Sequence, residues 1–113
     1  MKTITRIGAQ GDLLIIKVAE VPTDAVERKA AGDHHVVAHS ETGHHHVVAA
    51  QNTALWDMPD DSMTNYLTVK GAFALLKHKR PFDTHEALRC PAGIWKIHRQ
   101  RESSPEGWRR VED

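Results

Sequence analysis

Two short valine-bearing segments, His34 to His39 and His44 to Ala50, flank the four residues Ser40, Glu41, Thr42 and Gly43. Polar, turn-favouring residues between two β-prone runs have the composition and length of a hairpin loop, so this stretch predicts a pair of antiparallel strands. Comparable signals recur along the chain. Thr3 to Ile7 alternates weakly, and Leu13 to Val18 is an apolar, branched run after Gly11 and Asp12. Tyr66 to Val69 and Ala72 to Leu76 are candidate strands on either side of Gly71, the second open to a short helix because Ala and Leu carry little β preference. Cys90, Pro91, Ala92 and Gly93 read as a tight turn feeding Ile94 to Arg99, where Trp95 and Ile97 alternate with Lys96 and His98. Trp108 and Val111 suggest a final short strand. Between these lie Pro22 to Gly32, read as one or two helical turns or a charged loop, and Lys77 to Thr84, basic and turn-like. Asn52 to Ser62, with Pro59, Asp60 and Asp61, reads as a loop anchored by Leu55 and Trp56. No long amphipathic helix, heptad or internal repeat competes. Seven or eight short strands at close intervals predict an all-β fold, a small antiparallel barrel or sandwich, with Leu14, Ile16, Val69, Trp95 and Ile97 in its core.

The chain has 113 residues, 40% hydrophobic and 27% charged, which suits one folding domain rather than a disordered segment. Fifteen Lys and Arg balance fifteen Asp and Glu, so no global field favours nucleic acid or an anionic membrane. Arg99, Arg101, Arg109 and Arg110 near Trp95 and Trp108 could form a local basic surface, but Glu102, Glu106, Glu112 and Asp113 are interleaved with them and favour ion pairing. No run approaches the ~18 to 20 apolar residues of a membrane span, and Met1 to Ala19 lacks the order of a signal peptide. A lone Cys90 offers neither a disulfide nor a Cys-rich zinc site, and its expected role is a small core or turn residue. A reducing, cytoplasmic setting is the expectation. Asp57, Asp60 and Asp61 lack the spacing of a calcium loop and read as solvated.

Nine histidines are the chemical signal. With Ser40 to Gly43 as the loop, His39 opposes His44, Ala38 opposes His45, Val37 opposes His46 and His35 opposes Val48. Strand alternation then places His35, Val37, His39, His44, His46 and Val48 on one face, and Val36, Ala38, His45, Val47 and Ala49 on the other. His39, His44 and His46 converge at the turn end, with opposed Cβ atoms about 4.5–5.5 Å apart, close enough for imidazoles to share one ion. Three imidazoles suit a divalent transition metal (Zn, Fe, Ni or Mn) and leave coordination positions open. The alternative is a solvated polar face. His85 is a further candidate ligand and His78 a weaker one, while His98 and His34 read as surface groups.

The pair His44 and His46 after Gly43, followed about forty residues later by Pro91 and Gly93, resembles the two-motif layout of cupins. Gln51 stands where the first motif usually has Glu, and Lys96 where the second usually has His. The blocks QGDLLI, AHSETGHHHVV, PFDTHEAL, PAGIWKIHRQRE and PEGWRRVED look like a family of small bacterial and phage proteins without an assigned activity. That resemblance implies His44, His46 and His85 as ligands and assigns no reaction; Ser103 stands where the family pattern has Tyr after RQRE. The expectation is therefore a small cytoplasmic, cupin-like protein holding one metal through His39, His44, His46 and His85. If it is an enzyme, it would act on a small molecule, with Glu41 or Glu86 as general base. The competing expectation is a non-catalytic binding or assembly module, a possible homodimer, that uses the RQRE strand and C-terminal surface with a structural metal or none.

Overall fold

The computed structural model describes the backbone of residues 2–38, 45–78 and 85–100, and the side chains of these residues apart from those at 78, 85 and 86. Among the described residues there are nine strands and no helix: β1 (Lys2–Thr3), β2 (Ile7–Gln10), β3 (Leu13–Val18), β4 (Val26–Arg28), β5 (His34–Ala38), β6 (His46–Ala49), β7 (Thr53–Met58), β8 (Asp61–His78) and β9 (His85–Arg99). They form one sheet, antiparallel throughout except where β1 runs parallel to β9.

The two long strands organise it. β8 and β9 pair from Thr64 opposite His98 to His78 opposite His85. On its other edge β8 carries β7 along its first part and β6 along its last. β9 carries β3 along its second part and β1 beside Leu88 and Arg89. One wing is thus β2, β3, β7 and β4, the other β1, β6 and β5, and β8–β9 runs through both. Pairing is interrupted between Val69 opposite Gly93 and Phe73 opposite Pro91, so that Lys70, Gly71 and Ala72 face Ala92 alone. Extra residues on one strand bend it, and Gly71 at φ 79° supplies a conformation that residues with a Cβ rarely adopt.

The inner faces of both wings contribute to a single buried cluster. Leu13, Ile15, Leu55, Leu67, Val69, Trp95 and Ile97 come from the first, and Val37, Val48, Leu76, Leu88 and Cys90 from the second. The sheet folds over itself in sandwich fashion but does not close, since β2 and β5 remain its ends. Trp95 sits at the centre with no exposed surface, and its indole N–H donates to the Pro91 carbonyl at 2.9 Å, so the largest core side chain leaves no polar atom unpaired.

Several sequence expectations are corrected. Leu13 and Ile15, not Leu14 and Ile16, are the buried residues of β3; four consecutive apolar residues give no alternation, so tertiary pairing chooses the face. Asn52 to Ser62 is not a loop: Thr53–Met58 is β7, and only Pro59 and Asp60 separate it from β8. Pro22 to Gly32 contains β4 rather than helical turns. Ala72 to Leu76 is the strand expected and not the short-helix alternative, and it is continuous with Tyr66 to Val69 through Gly71. Cys90 to Gly93 lies within β9 and makes no turn, because β8 pairs on both sides of it. Thr3 to Ile7 divides between β1 and β2. Val69, Trp95 and Ile97 are core residues as expected. Trp108 and Val111 lie outside the described residues.

Candidate functional site

The hairpin β5–β6 forms as its composition predicts, with His34 opposite Ala49, His35 opposite Val48 and Val36 opposite Val47. A bulge at Val37 then shifts the register, so His46 opposes Ala38 and not Val37. The face assignment survives the slip for most positions: His35, Val37, His46 and Val48 are buried, whereas Val36, His45 and Val47 are half-buried, but Ala38, expected on the latter face, is buried as well because it follows the bulge. His46 therefore points inward, and the middle histidine of the triplet does not share its environment.

His46 is 2% exposed. Its surroundings come from the β2–β3 turn, which the hairpin alone could not indicate. Gln10, the last residue of β2, opposes Leu13 and is buried beside it. The Gln10 Nε2 donates to the carbonyl of Leu76 at 2.9 Å. That fixes the amide so that Oε1 faces His46 Nδ1 at 2.9 Å, and an amide oxygen only accepts, so Nδ1 carries the proton. The other ring nitrogen, Nε2, lies 3.5 Å from Asp12 Oδ1. The Asp12 side chain is 45% exposed and sits at the boundary with water. When Nε2 is protonated as well, hydrogen bonding from the His46 imidazolium, joined by its charge, holds the Asp12 carboxyl below the usual 3.8, against a partial burial that acts the other way.

The pairing of β6, β8 and β9 adds backbone proximity. His46 opposes His78, and His78 opposes His85, so three histidine positions lie on one row across strands spaced about 4.8 Å apart. The side chains of His78, His85 and Glu86 lie outside the described residues, as do His39, His44 and Glu41 entirely. Among the described residues no cluster of three or more His, Cys, Asp or Glu side chains is placed to hold a metal. Sequence reading missed Gln10 and Asp12. Their signal was a polar residue at an inward β position immediately before a Gly-Asp turn.

The other singled-out residues have separate roles. His35 is buried at the opposite end of β5, and its Nδ1 has no hydrogen-bond partner. Burial, reinforced by Arg28, pushes its pKa below 6.5. His98 is tied into the sheet: Thr64 Oγ1 donates to Asp61 Oδ2 at 2.7 Å and accepts from His98 Nδ1 at 3.1 Å. Asp57 binds Arg28 through both carboxylate oxygens and accepts from Asn65 Nδ2 at 2.6 Å, so Asp57 and Asp61 are each engaged in separate structural contacts, while Asp60 is exposed. Cys90 is fully buried, with its thiol pushed up to about 11 by burial, which leaves it an inert core residue. Gln51, at the first cupin motif's Glu position, lies exposed on the β6–β7 turn. Lys96, at the second motif's His position, is half-buried on the face of β9 opposite Trp95 and Ile97.

The chain belongs to a family defined by a domain of unknown function, DUF8820, which matches residues 9–100 and so contains Gln10, Asp12, His46, His78 and His85. No curated protein and no solved structure matches it.

Proposed function

We propose that this chain binds one divalent transition metal (Zn, Fe, Ni or Mn) where His46 meets Asp12, with the remaining donors drawn from His39, His44 and His85 and from His78 on the same row. The observation that carries this reading is the tautomer of His46. A ligating imidazole characteristically donates its other ring N–H to an oxygen that fixes its orientation, and Gln10 Oε1 occupies that role. The nitrogen left for coordination faces a carboxylate oxygen at 3.5 Å, close to the roughly 3.4 Å that separates two donors of a tetrahedral ion with bonds of about 2.1 Å. The donor chemistry fits Zn, Fe, Ni or Mn, and the carboxylate supplies the oxygen ligand that the hairpin lacked.

Bound there, the metal would supply Lewis acidity for a small-molecule substrate, with Glu41 or Glu86 as the general base. His46 would hold it, Gln10 would keep the imidazole in register, and Asp12 would face water. The reading keeps the His44, His46 spacing of the cupin layout and not its second histidine, because Lys96 lies on the other face of β9. A cytoplasmic setting goes with it, since an unpaired, buried Cys90 suits a reducing compartment. Among the described residues no helix is long and apolar enough to cross a membrane.

Elemental analysis and calorimetry of the full chain purified without a tag test the proposal. The expected result is about one metal per chain, with His46→Ala and Asp12→Asn each weakening binding at least about tenfold. Absence of micromolar affinity for all four metals would leave His46 and Asp12 as a buried-to-surface ion contact and overturn the assignment.

A further inference from the structure

The outward face of the second wing breaks the pattern of an antiparallel sheet with one wet side, where apolar residues point in and polar residues out. On β6, His46 and Val48 are buried, yet Val47 and Ala49 on the opposite face are also apolar. On β8, Ala74 and Leu76 are buried, and Phe73 and Leu75 point the other way. Val47, Ala49, Phe73 and Leu75 line a cleft of about 430 Å³, walled by Asn52 of the β6–β7 turn and edged by Lys77. Asn52 is itself held in a left-handed conformation, φ 64°, with its carbonyl accepting from Lys70 N at 2.8 Å, so the wall is a fixed part of the fold.

Phe73 is 44% exposed, an unusual position for a large aromatic ring on a small sheet. It is not loose. The Arg89 guanidinium lies 4.7 Å from its ring centroid, a cation–π contact that orients the ring. Among the described residues the one carboxylate on the rim is Asp33, 3.2 Å from His34 Nδ1. An apolar floor, an aromatic wall oriented by Arg89 and the Lys77 ammonium fit a planar aromatic molecule that carries an anionic group, at a volume in the range of small-ligand sites.

We infer that this cleft is a binding site for a small aromatic anion, with Phe73, oriented by Arg89, as the stacking partner and Lys77 as the charge partner. It lies on the reverse of the strands that carry His46, so it is independent of the metal proposal. Charge complementarity separates this occupant from an uncharged apolar one.

Titration of ¹⁵N-labelled full chain with 2-naphthoate, followed by amide shifts, is the test. Saturable shifts at Val47, Ala49, Phe73, Leu75 and Lys77 are expected. Phe73→Ala should bind at least about tenfold more weakly and Lys77→Gln about fivefold, and the neutral 2-naphthylmethanol should bind about fivefold more weakly to the unaltered protein. Val26→Ala, at another exposed apolar residue, should bind as the parent does. Shifts scattered over the surface, equal affinity for the neutral alcohol, or undiminished binding by a folded Phe73→Ala would each overturn the inference.

Discussion

At Gln10 one amide decides the chemistry of a buried histidine. Because Nε2 is committed to the Leu76 carbonyl, Oε1 must accept from His46, and Nε2 of His46 is what faces Asp12. On the metal reading, Gln10→Ala removes no ligand yet weakens binding by about 10- to 100-fold, the usual effect of losing an orienting partner. His45→Ala and His34→Ala leave affinity unchanged by calorimetry, since neither shares the inward environment of His46. His35 carries a separate prediction. Its pKa is lowered in the folded chain by burial and by Arg28, with Glu27 opposing and His34 adding to the depression. The unfolded chain therefore takes up the proton more readily, and stability present above pH 6.5 declines as pH falls below it. Urea midpoints at pH 7.5 and pH 5 should differ more for the parent than for His35→Leu; identical pH dependence would show that His35 titrates alike in both states.

At the scale of the strand, β3 shows how neighbours settle what an apolar run leaves open. Leu13 and Ile15 are 1% and 0% exposed, whereas Leu14 and Ile16 are half-buried on the other side. Leu13→Ala should destabilise by about 2–5 kcal/mol and Leu14→Ala by well under half of that in chemical denaturation. Equal losses would mean that something covers the outer face as fully as the core. The hairpin β5–β6 teaches the complementary lesson. Its existence and the placing of His46 and His45 on opposite faces were legible from composition and alternation, but the bulge at Val37 was not, because nothing in Val36, Val37 and Ala38 distinguishes a bulged position from a paired one. The Pro-Ala-Gly segment misled for a similar reason. Those residues mark a departure from regular strand geometry, and whether that departure becomes a reversal or a bend depends on what lies alongside.

For the whole molecule, both wings bury their inner faces in one cluster around Trp95, so neither wing has a core to keep if the other opens. Unfolding should be a single transition, with tryptophan fluorescence and far-UV circular dichroism giving the same midpoint and a spectrum dominated by strand. Separated midpoints would mean that the wings unfold independently. The sequence by itself determined that this chain is all-β and mainly antiparallel, that Val69, Trp95 and Ile97 face inward, and that His46 and His45 point to opposite faces. These follow from side-chain periodicity, which is a local property. It could not determine which face of β3 is buried, that Thr53–Met58 is a strand, or that Gln10 and Asp12 close around His46. Those depend on contacts between residues far apart in the chain, 66 positions for Gln10 and Leu76 and 86 for Leu13 and Arg99, and such contacts exist only once the β8–β9 ribbon has bent and brought its two wings face to face.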